Sequence, residues 1–147
     1  MKDKTFKVSC QIKSPQLSDL IKLIGINLLG YTEANIIVQY NDKLLNRLST
    51  KDFAIQSLLE KTLTPHTYNL FLRTNSKDKL ESIICREMAH FDQYEKEMLK
   101  TKEDEGKTIY LYKDQECSLL DNSIWEKETR TTQYELIKQL KKLKNKQ

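Results

Sequence analysis

Ile84-Cys85-Arg86-Glu87-Met88-Ala89-His90-Phe91-Asp92-Gln93-Tyr94 is the stretch around which the rest of this chain is organised. It lies within the best helical periodicity of the sequence. Leu80, Ile83, Ile84, Met88, Phe91 and Tyr94 recur at the spacing of one helix face, and Met98 extends the same face. Glu87 falls on that apolar stripe, where a carboxylate is costly unless it has a partner. His90 follows one turn later. Two polar side chains therefore interrupt a buried face together, which is the footprint of a site or of a buried hydrogen bond.

Working outward, Thr74-Asn75-Ser76 supplies an N-cap for this helix. Before it, Thr67 to Arg73 reads as a strand in which Tyr68, Leu70 and Leu72 alternate with Asn69, Phe71 and Arg73. Both faces are partly apolar, which predicts an interior strand rather than an edge. Phe53 to Leu59 reads as its neighbour, joined through a turn at Thr64-Pro65. At the start of the chain, Phe6 to Ile12 alternates as a strand. Ser14-Pro15 opens a helix to about Leu29, carried by Leu17, Leu20, Ile21, Ile24 and Leu28 and stopped by Gly30. Asn35 to Tyr40 is a short strand, buried or at an edge, and Asp42 to Leu48 is ambiguous, with a single helical turn as one reading. Downstream, Glu103 to Lys107 is a turn between Leu99–Thr101 and a strand at Thr108–Tyr112. Asp121-Asn122-Ser123 caps a final helix from Ile124 to about Leu143. No internal repeat is present.

The bulk numbers bound the answer. With 147 residues, the chain makes one domain, 1–147, long enough to bury a core. Hydrophobic content of 38% and charged content of 31% describe a soluble, rather polar protein, and two Pro and three Gly argue against low-complexity linkers. A net charge of +4 is too weak and scattered to suggest nucleic acid. Five lysines between Lys138 and Lys146 do give the last helix a basic end from about residue 138; such an end complements the helix dipole and is ordinarily a solvated face. Cys10, Cys85 and Cys117 are odd in number and far apart, so neither a disulfide framework nor a thiolate zinc site is expected. No apolar run approaches the roughly 18 residues of a membrane span. The start has no signal-like apolar region, so the expected compartment is the cytoplasm, or the periplasm or exterior after signal removal. No Gly-rich phosphate loop or nucleophile–base signature appears.

The order of features resembles the small zincin-like metallopeptidase domains of Bacteroidetes and related bacteria, over about residues 66 to 140. In those domains a helix carries His-Glu-Met-x-His-x-x-Gln-Tyr and a later helix reads Pro-Trp-Glu-x-Glu-Ala. The corresponding residues here run from Arg86 to Tyr94 and from Ile124 to Thr129. The resemblance implies an α+β zincin-like fold: a small mixed sheet of four to five strands with the motif helix and the Trp125 helix packed together below it. It implies Glu87 as general base, and His90 and Glu126 as metal ligands if a metal binds. Glu128, Gln93, Tyr94 and Trp125 become supporting residues. Gln93 and Tyr94 are expected to pack and cap, and Trp125 to anchor the core with a partner for its indole N–H. Three departures stand out: Ile124 for Pro, Thr129 for Ala and, far more severe, Arg86 for the first His.

A catalytic zinc site needs three protein ligands and an open position. His66 is the only other histidine, and a His beside a Thr-Pro turn is more often exposed than ligating. An Arg86–Glu126 pair, alone or shared with Glu87, would fill the metal's place with a guanidinium. The leading expectation is a zincin-like pseudo-peptidase without a cofactor, binding a peptide or protein partner through the cleft above Arg86, Glu87 and His90. The alternatives are an active zinc peptidase with an altered ligand set and a basic interaction protein acting through its C-terminal helix.

Overall fold

Alternating apolar residues build the larger sheet. β1 (Thr5–Cys10) pairs in parallel with β2 (Glu33–Tyr40), and β2 pairs in parallel with β4 (Thr67–Leu72). β3 (Ser57–Lys61) returns antiparallel on the outer side of β4, giving the order β1-β2-β4-β3. The computed structural model describes residues 5–11, 15–51, 54–75, 79–117 and 124–145. Among these the architecture is α+β, with two sheets and four helices.

Register decides which residues face the helices. Ile36 lies opposite Val8 and Tyr68, Val38 opposite Leu70, and Leu59 opposite Leu70 from the other side. These side chains form one buried face with Phe6 and Ala34. Ser57, paired with Leu72, falls on that same face by the two-residue alternation of a strand. The opposite face of β3 and β4 contributes Leu58 and Phe71, which pack with Leu45 of α2 (Asp42–Leu48) and with Ile55. β4 is thus covered on both sides and interior, as its two apolar faces predicted.

α1 (Pro15–Lys22) runs into a wider π turn over Leu23–Leu28 rather than continuing as α-helix to Leu29. The Leu29 N–H reaches back five residues to the carbonyl of Ile24 at 2.9 Å, and Gly30 then ends the element at φ +82°. Gly25 sits under the ring of Phe6. Ser14, where the first helix was expected to open, lies outside the described residues, as do Ile12, Phe53, Ser76 and Asp121–Ser123.

Three other expectations change. Asp42–Leu48 is a genuine short helix, because Asn41 caps it through Oδ1 on the Leu44 N–H at 3.0 Å. The strand expected from Phe53 begins only at Ser57. The backbone of Ile55 is held by side chains instead, its N–H donating to Ser49 Oγ at 2.8 Å and its carbonyl accepting from Arg73 Nε at 2.9 Å. The expected hairpin becomes a separate three-stranded sheet: β5 (Leu99–Asp104), β6 (Lys107–Tyr112) and the unforeseen β7 (Gln115–Cys117).

α3 (Leu80–Glu95) lies across the buried face of the larger sheet, sending Ile84, Met88 and Phe91 into the core. Phe91 meets Tyr68 and Phe6 edge-on, at centroid distances of 5.2 and 5.9 Å. Cys85 is a fully buried core residue, its thiol pushed up to about 12 by burial. α4 (Ile124–Asn145) packs antiparallel to α3. Its Gln133 Nε2 donates to the Ser82 carbonyl at 2.9 Å and its Lys144 Nζ to Glu81 at 2.6 Å. Part of the basic end therefore ties the two helices together.

Gly25→Ala tests the close approach under Phe6. The added Cβ would lie 2.2 Å from Phe6 Cζ and 2.6 Å from Cε2, inside a packed core. Denaturant unfolding should show a loss of about 2 kcal/mol; an unchanged midpoint would mean that the ring moves freely.

Candidate functional site

Ile84, Cys85 and every residue from Glu87 to Tyr94 are buried, so the polar side chains of α3 must find partners within the protein. The neighbouring elements supply them one by one. Arg86 donates from both terminal nitrogens to Glu126 of α4, Nη1 to Oε1 and Nη2 to Oε2, the latter at 3.0 Å. This is the bidentate fork that a planar guanidinium makes with a carboxylate. Burial alone would lower the Arg86 pKa, but Glu126 and Glu87 together raise it. Burial would likewise raise Glu126, yet the hydrogen bonds and charge of Arg86 hold its carboxyl below the usual range.

Glu87, one residue on, points to β3 instead. Its Oε2 accepts the hydroxyl proton of Ser57. Ser57 is there because the β3 register turns it to the helix-bearing face. Glu87 Oε1 has no hydrogen-bond partner among the described residues.

Gln93 organises the next turn. Its Oε1 accepts from the indole Nε1 of Trp125 at 2.8 Å and lies 3.1 Å from His90 Nδ1, while its Nε2 donates to Thr129 Oγ1 at 2.8 Å. Thr129 passes its own proton to the Trp125 carbonyl, also at 2.8 Å, which fixes the amide's orientation. An amide oxygen only accepts, so Nδ1 of His90 carries the proton and Nε2 presents a lone pair. Burial lowers the His90 pKa, Glu87 opposing it and Arg86 adding to it, so the ring is neutral at pH 7. Nε2 has no partner among the described residues.

Ser57, Arg86, Glu87, His90, Tyr94 and Trp125 line a cavity of 260 Å³ between the edge strand and the two helices. Its walls are largely apolar. Trp125, 2% exposed, also contacts the rings of His90 at 5.1 Å and Tyr110 at 6.2 Å.

The structure therefore brings together Arg86, Glu87, His90, Glu126, Gln93, Tyr94 and Trp125. It does not bring Glu128 to them: two positions along α4 from Glu126, Glu128 turns to the hairpin and accepts from Tyr112 and from Lys113 Nζ. Nor does His66 line the cavity. It adopts φ +58° in its turn, with Nδ1 2.7 Å from Glu95 Oε1. Ser57 was missed, because it lay in a strand whose start was misplaced; Gln93 was expected as a supporting residue that packs and caps, not as the group that orients His90 and Trp125. The one available signal for Gln93 was its spacing, three after His90, combined with a tryptophan needing an acceptor.

As it stands, this donor set does not fit zinc. Among the described residues no three His, Cys, Asp or Glu side chains are placed to hold a metal ion. His90 offers one nitrogen, both Glu126 oxygens go to Arg86, and His66 is held by Glu95. No described helix is long and apolar enough to cross a membrane. Compared with known proteins, the chain matches no family model, no curated protein and no solved structure.

Two outcomes follow from these contacts. Gln93→Leu strands the indole N–H and His90 Nδ1–H in the core and should lower unfolding free energy by about 3 kcal/mol; a loss below about 1 kcal/mol would show that water replaces the amide. Arg86→Met should cost about 2 kcal/mol at pH 7, less than for a fully enclosed pair because 30% of the Arg86 side chain is exposed. Its pH dependence has a definite sign. The Glu126 pKa is depressed in the folded protein, so its contribution is complete above the ordinary value of 4.5 and is lost as pH falls through the lower folded value. Without Arg86, burial dominates and raises that pKa, so Glu126 should now destabilise the fold as pH rises through about 4.5 and beyond. Chemical denaturation between about pH 3 and 7 compares the two slopes.

Proposed function

We propose that this chain is a zincin-like domain that no longer performs zinc hydrolysis and that its cleft over Arg86, Glu87 and His90 binds a peptide or protein segment. One observation carries the reading. The bidentate Arg86–Glu126 pair joins the two positions that, in the resembled family, would supply the first histidine and the glutamate ligand. A cation belonging to the side chain stands where an ion would stand. The surrounding features agree with it. Glu87 holds the place of the general base but is bonded to Ser57, and His90 is oriented through Nδ1 with Nε2 bare, the arrangement typical of a ligating imidazole. β3 is an antiparallel edge strand beside the cavity, and an edge strand can pair with an extended segment.

Restoring the missing ligand is the decisive experiment. The purified wild-type chain should bind no stoichiometric zinc by metal analysis or calorimetric titration. Arg86→His frees Glu126 and supplies a third donor, so it should bind about one zinc per chain. Zinc bound stoichiometrically by the wild type, with peptidase activity abolished by Glu87→Gln, would overturn the loss of catalysis. Failure of folded Arg86→His to bind zinc would overturn the zincin-like ancestry.

A further inference from the structure

Two residues lining the cavity each carry a polar atom that no described residue satisfies. Glu87 is 2% exposed and His90 7%, and both line the cavity. Oε2 of Glu87 has Ser57 and Nδ1 of His90 has Gln93, while Oε1 and Nε2 have no partner among the described residues. Buried polar groups are nearly always hydrogen-bonded, and each exception calls for a physical reason. Both exceptions here are acceptors, one helical turn apart on α3. The Ser57 hydroxyl, having given its proton to Glu87, retains lone pairs beside them and is a third acceptor.

Charge points the same way as hydrogen bonding. Arg86 and Glu126 neutralise one another through paired contacts. His90 has its Nδ1–H committed to the Gln93 amide oxygen, which leaves Nε2 as the free ring atom. The Glu87 carboxylate is left without an ion-pair partner of its own among the described residues. The complementary ligand group therefore brings N–H donors and a positive charge. Around these acceptors the walls are hydrocarbon: Ile55, Leu58, Leu59, Ile83 and Leu99, with the Trp125 ring. An alkyl stem suits such walls as an ammonium suits the acceptors, since a lysine side chain buries its methylenes while presenting its charge. A volume of 260 Å³ accommodates one side chain rather than a folded element.

We propose that this cavity is a recognition pocket for a primary alkylammonium group, with Glu87, His90 and Ser57 as its acceptors. The proposal rests on the reading of the cleft as a metal-free binding site and names what that cleft takes. Its two sources in a peptide are a lysine side chain and a free amino terminus. The apolar lining favours lysine, whose ammonium arrives on an alkyl stem.

Trp125 is the only tryptophan of the chain and lines the pocket, so its fluorescence reports occupancy directly. The wild-type chain, first confirmed zinc-free, is titrated with n-pentylamine, with 1-pentanol, with acetyl-Ala-Lys-Ala-amide and with Ala-Ala-Ala-amide bearing a free amino terminus. Pentylamine should give a saturable change that pentanol does not. The lysine peptide should bind more tightly than the free-amine peptide; the reverse order would keep the ammonium site and assign it to a peptide terminus. Glu87→Gln keeps the shape and removes the charge, and should weaken pentylamine by roughly tenfold or more. Should that variant fail to fold, the imidazole nitrogen resonances of wild-type His90 decide: Nε2 should move on saturation with pentylamine as its lone pair accepts a hydrogen bond. The proposal falls if pentylamine does not saturate, if pentanol binds equally well, if folded Glu87→Gln binds unchanged, or if Nε2 does not move. Zinc in the wild-type sample would instead overturn the metal-free reading itself, so the two failures are distinguishable.

Discussion

The constraint on which this fold depends is the need to satisfy a polar helix that is buried almost all round. α3 carries Arg86, Glu87, His90, Asp92, Gln93 and Glu95 through the middle of the protein. In a medium with little water each must be met by another element or pay its desolvation. The partners come from nearly everywhere: Ser57 from β3, Glu126 and Thr129 from α4, Tyr31 from the segment before β2, and Tyr68 from β4. The Tyr31 hydroxyl donates to Asp92 Oδ1 and the Tyr68 hydroxyl to Glu95 Oε2, both at 2.6 Å. Apolar burial drives the elements together without direction; these hydrogen bonds give α3 one rotation and one height against them.

Within that scheme the Arg86–Glu126 pair has a particular task. A buried ion pair adds little net stability, because removing two charges from water costs about as much as their attraction returns. What the fork supplies is geometry: two parallel contacts between planar groups define how α4 lies on α3. The Gln93, Trp125 and Thr129 contacts lie one to two turns along the same interface and repeat the alignment without charge. Glu126 is thereby held against Arg86, which lines the cavity, in one orientation.

How much of this was legible depends on how local the information was. The period of α3 and the anomaly of Glu87 on its apolar stripe are properties of a dozen residues, and both stand in the structure. The convergence of Arg86 with Glu126, 40 positions apart, was suggested by a resemblance in residue order and not by any periodicity. Ser57 was out of reach because its contact with Glu87 depends on the β3 register, and the backbone of Ile55 is held by Ser49 and Arg73 in a way no alternation reveals. The π turn at Leu23–Leu28 inserts an extra residue into a helical repeat that looks regular on paper; only Gly25, needed beneath Phe6, hints at it. β7 has three residues, too few to carry a pattern.

The same accounting explains why the cavity matters more than its size. A chain that meets the other buried polar groups of α3, to the point of joining His90, Trp125 and Thr129 through one glutamine, does not readily leave two acceptors bare among the described residues by accident. Closing the gap would require only a larger residue at Ser57, or a donor from Gln133, which lines the same cavity but spends its amide on Ser82. Local rules tend to be broken where a function requires it, with the cost borne by the rest of the fold. Here the cost falls on Glu87 and His90, which are held by neighbours on one side and open to the cavity on the other. That asymmetry is what the proposed recognition role rests on: two bare acceptors cannot satisfy one another, so only a donor from outside the pair can.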